Sequence, residues 1–137
     1  MSSGAYRHHR TRLANGLQVH VLEMPHLHTA SVGFFAKVGS RHEPRPLNGV
    51  SHFLEHMLFR GCDGWESSRA LNGAFEDLGG NLDGFTSRDF TGYQTSLDPA
   101  GLEEGLDLLG RMMSRPLLDG ITTERAVVRE EMLAEDR

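Results

Sequence analysis

The sequence predicts an α+β fold, in which helices pack against a mixed, mostly antiparallel sheet. Two patterns predict it. Segments in which apolar and polar residues alternate, as in strands, occur beside segments whose apolar residues recur every three or four positions, as in helices. Their order is three strands, two helices, two strands and two helices. With 137 residues, the chain has the length of one domain, which we expect to span residues 1–137.

The first predicted elements are strands. Asn15-Gly16 is a strong hairpin signal, because both residues tolerate the positive φ angles of a tight turn. The turn joins residues 11–13 to a strand at 17–24, whose alternating apolar residues predict one buried face. Residues 29–38 are rich in Val, Phe and Ala and predict a well-buried strand.

A helix should follow the loop at residues 39–49. Its start is predicted at Asn48, a residue type that caps helices well, and Gly61 follows its end. Five apolar residues have the spacing of a buried helix stripe. They are Val50, Phe53, Leu54, Met57 and Leu58. The opposite face therefore carries the polar residues of this helix.

His52, Glu55 and His56 lie on that polar face. At about 100° per residue, they point within roughly one 100° arc, so both imidazoles can reach one metal ion. Zinc favours imidazole nitrogen and, in catalytic sites, has three protein ligands and one open position. Glu55 stands beside that position, where a carboxylate can take a proton from water as a general base. The order His-x-x-Glu-His is the inverzincin signature.

A helix that binds no metal is the alternative interpretation. Two histidines four positions apart occur on helices by chance, and this chain has 8 histidines. The apolar stripe favours the metal site, because it anchors the helix and leaves the polar trio facing a cleft. A second pair, His26 and His28, falls in a predicted turn and is interpreted as solvated.

A second helix and two strands are predicted in the middle of the chain. Ser67 should cap the helix, which ends at Gly79-Gly80. Strands are predicted next at residues 81–86 and 91–97, separated by Ser87-Arg88-Asp89.

Two more helices complete the predicted fold. The first starts at Asp98-Pro99, an N-cap followed by Pro, and ends at Arg115-Pro116. Its apolar stripe consists of Leu102, Leu106, Leu109 and Met113. The last helix spans residues 122–137, and Val127 and Val128 define its inward face.

A catalytic zinc needs a third ligand, and the last helix supplies a candidate. Glu131 and Glu124 lie three or four residues from the two valines and so face inward, whereas Glu130 points about a quarter turn away. A carboxylate on an apolar face is costly unless it is paired or binds metal. We therefore expect Glu131 to be the third ligand and Glu124 to orient the site. The alternatives are an inward Glu that pairs with Arg, or a misjudged helix face.

Composition narrows the function classes. The net charge is −5, and no run of Lys or Arg predicts nucleic-acid binding. The one cysteine, Cys62, has no partner for an internal disulfide and is expected to be a small buried residue. No stretch has the apolar length to span a membrane and no secretory signal is evident, which favours a reducing, cytoplasmic setting. The last helical pattern lacks a stop signal, so we expect a domain truncated at its C-terminus.

Four segments carry a resemblance to a known family. They are residues 48–61 (NGVSHFLEHMLFRG), 79–87 (GGNLDGFTS), 116–119 (PLLD) and 124–132 (ERAVVREEM). In this order they resemble the pitrilysin/insulinase peptidases, which include the mitochondrial processing peptidases and bacterial relatives. The resemblance implies Zn²⁺ bound by His52, His56 and Glu131, with Glu124 as a further functional residue.

Two features depart from that family. Where the family usually has Asn-Ala in its central strand, this chain has Asp83-Gly84. In relatives this edge strand binds an extended peptide by backbone pairing, so Asp83 and Gly84 are expected to contact the substrate. The family also builds its catalytic chamber from two related halves, and this chain resembles the first part of one. The second half, or a homologous subunit, is therefore an expected partner.

The expected function is the hydrolysis of unfolded peptides or small proteins by a zinc metalloendopeptidase, with Glu55 as catalytic base. One alternative is a non-catalytic peptide-binding or partner subunit of the same fold, which the short chain favours. Another is a non-haem iron oxygenase, which also uses two His and one carboxylate. That alternative would leave Glu55 without a role.

Overall fold

The structure, a computed structural model, describes residues 6–135 as two antiparallel sheets and four α-helices. In chain order the strands and helices are β1 (Arg7–Arg12), β2 (Gln18–Glu23), β3 (Ala30–Ala36), α1 (Val50–Leu58), α2 (Ser68–Asp77), β4 (Asp83–Thr86), β5 (Thr91–Leu97), α3 (Leu102–Ser114) and α4 (Ile121–Glu135). The predicted α+β class and the order of elements are confirmed. The last two residues of the predicted final helix lie outside the described residues.

The two sheets are separate. β1 and β2 form a hairpin around Asn15-Gly16, and Gly16 has the positive φ of 90° that such a turn requires. The other three strands have the order β3-β5-β4, with β5 in the centre. Both of its pairings are antiparallel, so the expected mixture with parallel strands is not found among the described residues.

The strands are less buried than the sequence predicts. The apolar residues of β2 do not form a buried face, since Val21 is 48% exposed and no other strand or layer of the described residues joins the hairpin sheet. In β3 only Val32 is buried, and Phe35 on the opposite face is 57% exposed. Helices cover one face of the three-stranded sheet, so each strand has one inner and one outer face.

The main core lies between that sheet and the helices. Its buried residues are Val32, Leu58, Cys62, Leu71, Phe75, Leu82, Tyr93, Leu97, Leu108, Leu109 and Met112. Cys62 is fully buried, as predicted. Burial raises the pKa of its thiol, which therefore stays protonated at neutral pH.

The buried face of α3 differs from the predicted stripe. Leu106 is exposed, and Gly105, Leu108 and Met112 face the core instead. The reason is a close approach at Gly105, where a Cβ atom would lie 2.5 Å from the Leu97 side chain. The helix turns its glycine towards β5, and this rotation moves Leu106 to the outside.

The start of α1 is stabilised by Glu43, a residue whose role the sequence pattern does not indicate. Asn48 does not cap the helix; Gly49, with φ of 90°, occupies the N-cap position. The Glu43 carboxylate accepts hydrogen bonds from the backbone N–H groups of Gly49 (2.6 Å) and Ser51 (2.8 Å). Burial alone would raise the pKa of Glu43, but hydrogen bonds from Ser51 and Gly49 outweigh it and lower the pKa.

The predicted stripe of α1 is only partly buried. Met57 and Leu58 lie in the core, whereas Val50 and Leu54 are exposed. The helix is therefore buried mainly at its last turn, together with Ser51 in its first turn. Ser67 and Asp98 cap the following helical segments with their side chains, as predicted. No helix of residues 6–135 is long and apolar enough to cross a membrane.

Candidate metal centre

Three side chains from two helices converge beside α1. The Nε2 atoms of His52 and His56 lie 3.1 Å apart. Glu131, on α4, places its Oε2 atom 3.3 Å from Nε2 of His56 and 3.8 Å from Nε2 of His52. Among residues 6–135, these three form the one cluster of His, Cys, Asp or Glu groups with metal-binding separations.

These separations fit a tetrahedral ion. Zinc bonds of about 2.0–2.2 Å place any two ligand atoms of a tetrahedron about 3.3–3.6 Å apart. The observed values, from 3.1 to 3.8 Å, lie around that range. His52, His56 and Glu131 therefore have both the atom types and the spacing of three zinc ligands.

The Nδ1 atom of His56 gives a second sign of fit. It lies 3.0 Å from Oε1 of Glu124 and donates a hydrogen bond to that carboxylate. A neutral imidazole that donates through Nδ1 has a lone pair at Nε2. In that form the lone pair at Nε2 faces Oε2 of Glu131 at 3.3 Å, and a cation bound between these two acceptors would stabilise the arrangement.

The two inward-facing carboxylates of α4 differ in burial. The Glu124 side chain is 14% exposed and that of Glu131 is 47% exposed. Glu130 is exposed and does not belong to the cluster, as its predicted direction requires. Of the two valines predicted to face inward, Val128 is buried and Val127 is exposed, so the prediction is confirmed for Val128 and wrong for Val127. α4 packs against α1, and Val127 lies outside the buried face.

Glu55 lies next to the ligands and has a partner from the sheet. Its Oε2 atom accepts a hydrogen bond of 2.5 Å from the Thr86 hydroxyl on β4. The Thr86 hydroxyl is also 3.3 Å from that of Thr91 on β5. Burial raises the pKa of Tyr93, and the charge of Glu55 raises it further, so this phenol remains protonated.

Gly84 and Asp83 lie on β4, at an edge of the three-stranded sheet. A Cβ atom on Gly84 would lie 2.5 Å from the Phe59 ring and 3.4 Å from Cγ of Glu55. Glycine at this position therefore permits close contact between β4 and α1. Asp83 is exposed. One edge of β4 pairs with β5, and no strand of the described residues pairs with its other edge.

The sequence pattern does not indicate a role for two residues of the site, Thr86 and Arg60. Thr86 is two positions from Gly84 and therefore lies on the same face of the strand. This spacing is the sequence feature that could have indicated its place beside Glu55. Arg60 is four positions after His56, and its Nη1 atom donates to Oε2 of Glu124 at 2.8 Å. Together with Glu55, His56, Phe59, Ser68 and Glu124, Arg60 borders a cleft of about 250 Å³.

Known proteins resemble this chain in sequence and in structure. It is 40% identical to the mitochondrial-processing peptidase subunit beta of Blastocladiella emersonii over 88% of this chain and 26% of that protein. It is 33% identical to the uncharacterized zinc protease YmxG of Bacillus subtilis (strain 168) over 86% of this chain and 29% of that protein. The structure also resembles the crystal structure of a protease from Helicobacter pylori, with a TM-score of 0.85 and 30% sequence identity. The match covers 92% of this chain and 30% of the Helicobacter pylori chain.

The chain thus spans less than a third of the length of each of these proteins. Several of the relatives are named zinc proteases, which supports zinc as the metal of the group and peptidase as its type of function. The family model that matches residues 18–136 is described as Insulinase (Peptidase family M16). Since that match covers most of the sequence, the chain belongs to the insulinase family of peptidases, family M16.

Proposed function

We propose that this chain carries the metal site and the general base of a zinc metalloendopeptidase that cleaves unfolded peptides. One observation carries the proposal, namely the convergence of His52, His56 and Glu131 beside Glu55. Two imidazoles and a carboxylate at zinc-binding separations, next to a carboxylate outside the ligand set, form the constellation that metal-assisted hydrolysis needs.

Each ligand has a defined role in the proposal. His52 and His56 would hold zinc through Nε2, and Glu131 would hold it through Oε2. Glu124 accepts the Nδ1–H of His56 and so keeps this ring in the tautomer that binds metal. When bound, zinc supplies a Lewis acid that polarises the scissile carbonyl and makes water more acidic.

Glu55 acts as the general base. It takes a proton from the attacking water and later gives it to the leaving amine. The Thr86 hydroxyl donates to Oε2 of Glu55 at 2.5 Å, which fixes the carboxylate in one orientation. Such positioned proton transfer typically contributes about 10²–10⁴-fold to a rate.

The outer edge of β4 is the proposed site for the substrate. A peptide in extended form can pair its backbone with this edge, as an added strand. Unfolded peptides fit this mode, because a folded protein rarely offers a free extended segment. Gly84 lies against Glu55, so a peptide paired here would run close to the base. The exposed carboxylate of Asp83 would favour basic side chains in the substrate.

We infer that efficient hydrolysis needs a further part, either in the same protein or as a homologous subunit. The relatives are more than three times as long as this chain, and one of them is named as a subunit. On this observation, a peptide-binding or metal-binding unit without much activity of its own is the second candidate for the isolated chain. An iron oxygenase has no support, since it would give Glu55 and its bond to Thr86 no purpose.

Glu55→Gln tests the proposal in a protein that contains this chain and the partner part. The variant keeps the shape of the side chain and removes its proton acceptor. We expect unchanged zinc content and a loss of about 10²–10⁴-fold in kcat/KM for an unstructured peptide. Glu130→Gln is the matched control and should keep its activity, because Glu130 is exposed and outside the cluster. Normal turnover by Glu55→Gln would contradict the proposed mechanism.

A further inference from the structure

Arg60, Glu124 and His56 form a chain of polar contacts behind the candidate metal site. Glu124 uses both carboxylate oxygens: Oε1 accepts from His56 Nδ1 at 3.0 Å, and Oε2 accepts from Arg60 Nη1 at 2.8 Å. The contacts bridge 68 and 64 positions of sequence, respectively. They therefore connect the end of α1 with the first turn of α4.

The carboxylate of Glu124 needs the positive charge of Arg60, because the Glu124 side chain is only 14% exposed. A carboxylate that has lost most of its water is costly unless a charged donor replaces the lost hydrogen bonds. Among the described residues, His56 and Arg60 are the side chains that donate to it. The guanidinium of Arg60 is always charged, so it balances the Glu124 carboxylate at 2.8 Å.

Gly120 makes room for the guanidinium. A Cβ atom at Gly120 would lie 2.6 Å from Nη2 and 2.9 Å from Cζ of Arg60. The same glycine has φ of 75°, and its carbonyl oxygen accepts the backbone N–H of Glu124 at 3.0 Å. Because Gly120 has no side chain, the guanidinium of Arg60 can pass close to the start of α4 and contact Glu124.

We propose that Arg60 is a positioning residue of the metal site: it holds the Glu124 carboxylate, which in turn holds His56 with Nε2 open towards His52 and Glu131. The inference rests on the proposed zinc site. It adds that the ion pair between Arg60, just after α1, and Glu124, on α4, orients the three ligands already in the metal-free chain. Among the described residues, Arg60 forms no hydrogen bond or ion pair with the proposed ligands, so it acts through Glu124.

Arg60→Met removes the cation and keeps much of the side-chain bulk. We expect the zinc dissociation constant of the chain, measured by competition with a chromophoric chelator, to rise by about 10–100-fold, the range typical for loss of an outer partner of a ligating histidine. Arg60→Lys retains the charge and should restore most of the affinity. The matched control is Arg115→Met, which removes an exposed ion pair with Asp63 (3.0 Å) away from the site and should leave zinc affinity unchanged.

The second readout needs no metal. Nitrogen-15 NMR of the histidine rings reports which nitrogen of His56 carries the proton in the zinc-free chain. We expect the Nδ1–H form to dominate in the wild type and in Arg115→Met, and to lose its dominance in Arg60→Met. If wild type binds no zinc, the proposed metal site is wrong, while this measurement still decides whether Arg60 sets the state of His56.

Gly120→Ala provides an independent variant in case Arg60→Met does not fold, which circular dichroism would reveal. Its Cβ displaces the guanidinium while leaving Arg60 and Glu124 in the chain. We expect weaker zinc binding and the same change at His56 as in Arg60→Met. Wild-type zinc affinity together with a wild-type His56 signal, in whichever of the two variants folds, would overturn the role of Arg60.

Discussion

At the scale of single residues, the direction of each side chain on α4 decides which carboxylate meets the two histidines. Glu130 and Glu131 are adjacent and therefore point about 100° apart. Glu131 lies 3.3 Å from His56, whereas Glu130 faces solvent. The two residues have the same chemistry and nearly the same position, so they form a matched pair for testing the ligand set.

We expect Glu131→Ala and His52→Ala to abolish tight zinc binding, because each leaves two ligands where three converge. The loss should exceed the roughly 10–100-fold effect of removing an outer partner. Glu130→Ala should bind zinc like the wild type. Zinc content after dialysis and the dissociation constant measure both effects. Loss of metal in Glu130→Ala, with retention in Glu131→Ala, would show that the ligand set is wrong.

The sequence predicts some of these residues well because local geometry fixes them. The spacing of His52, Glu55 and His56 on a helix places them on one face whatever the rest of the fold does. Thr86 and Arg60 could not be assigned in the same way. Their contacts with Glu55 and Glu124 span 31 and 64 positions and depend on how β4 and α4 pack against α1.

At the scale of elements, α1 depends on a cap from outside the helix. Glu43 accepts two backbone N–H groups at the start of α1, which would otherwise lack partners. A carboxylate at this end also interacts favourably with the helix dipole. The helix has only nine residues, so its first turn is a large part of it. The orientation of His52, in that turn, depends on this cap.

Glu43→Gln should lower the stability of the chain at neutral pH by about 0.5–1 kcal/mol, the usual range for a cap, reduced by solvent screening. The folded chain holds the pKa of Glu43 below its ordinary value of 4.5. Its stabilisation is therefore fully present above that value and is lost as the pH falls through the lower, folded-state pKa. Wild type and variant should thus converge in acid.

Urea unfolding at several pH values measures this difference. Glu66→Gln, at an exposed position, is the control and should follow the wild type at every pH. A constant gap between wild type and Glu43→Gln down to pH values well below 4.5 would show that the charge of Glu43 does not stabilise α1.

The hydrophobic patterns of β2 and α3 predict the type of each element but not which of its residues are buried. Alternation in β2 predicts a buried face correctly only if another layer covers it, and periodicity cannot reveal whether one does. In α3 the stripe is rotated because Gly105 allows closer packing on Leu97 than a larger residue would. The cap at Ser67 and the turn at Asn15-Gly16 are confirmed, since their chemistry is local. The cap predicted at Asn48 is wrong, because Glu43 accepts the N–H groups at the start of α1 instead.

At the scale of the whole molecule, the candidate site is open to solvent. The Glu131 side chain is 47% exposed and that of His52 is 31% exposed. Peptide hydrolysis needs a cleft that orients the substrate, excludes water and aims donors at the developing oxyanion. Removing a single oxyanion donor typically costs about 10²–10³-fold in rate. Metal binding needs only the three converging ligands, so the two properties should separate in this chain.

We therefore expect the 137-residue chain to bind zinc and yet to cleave unstructured peptides weakly or not at all. Supplying the partner part, fused in the same protein or added as a separate subunit, should raise kcat/KM by at least the 10²–10³-fold of one oxyanion donor, at about equal zinc occupancy. The assay compares the two preparations with one quenched fluorescent peptide, and Glu55→Gln in each preparation controls for contaminating proteases. The increase should depend on Glu55 and disappear in that variant. Equal kcat/KM values for the chain alone and for the complete assembly would show that the converging ligands and Glu55 suffice, and that the exposure of the site does not limit catalysis.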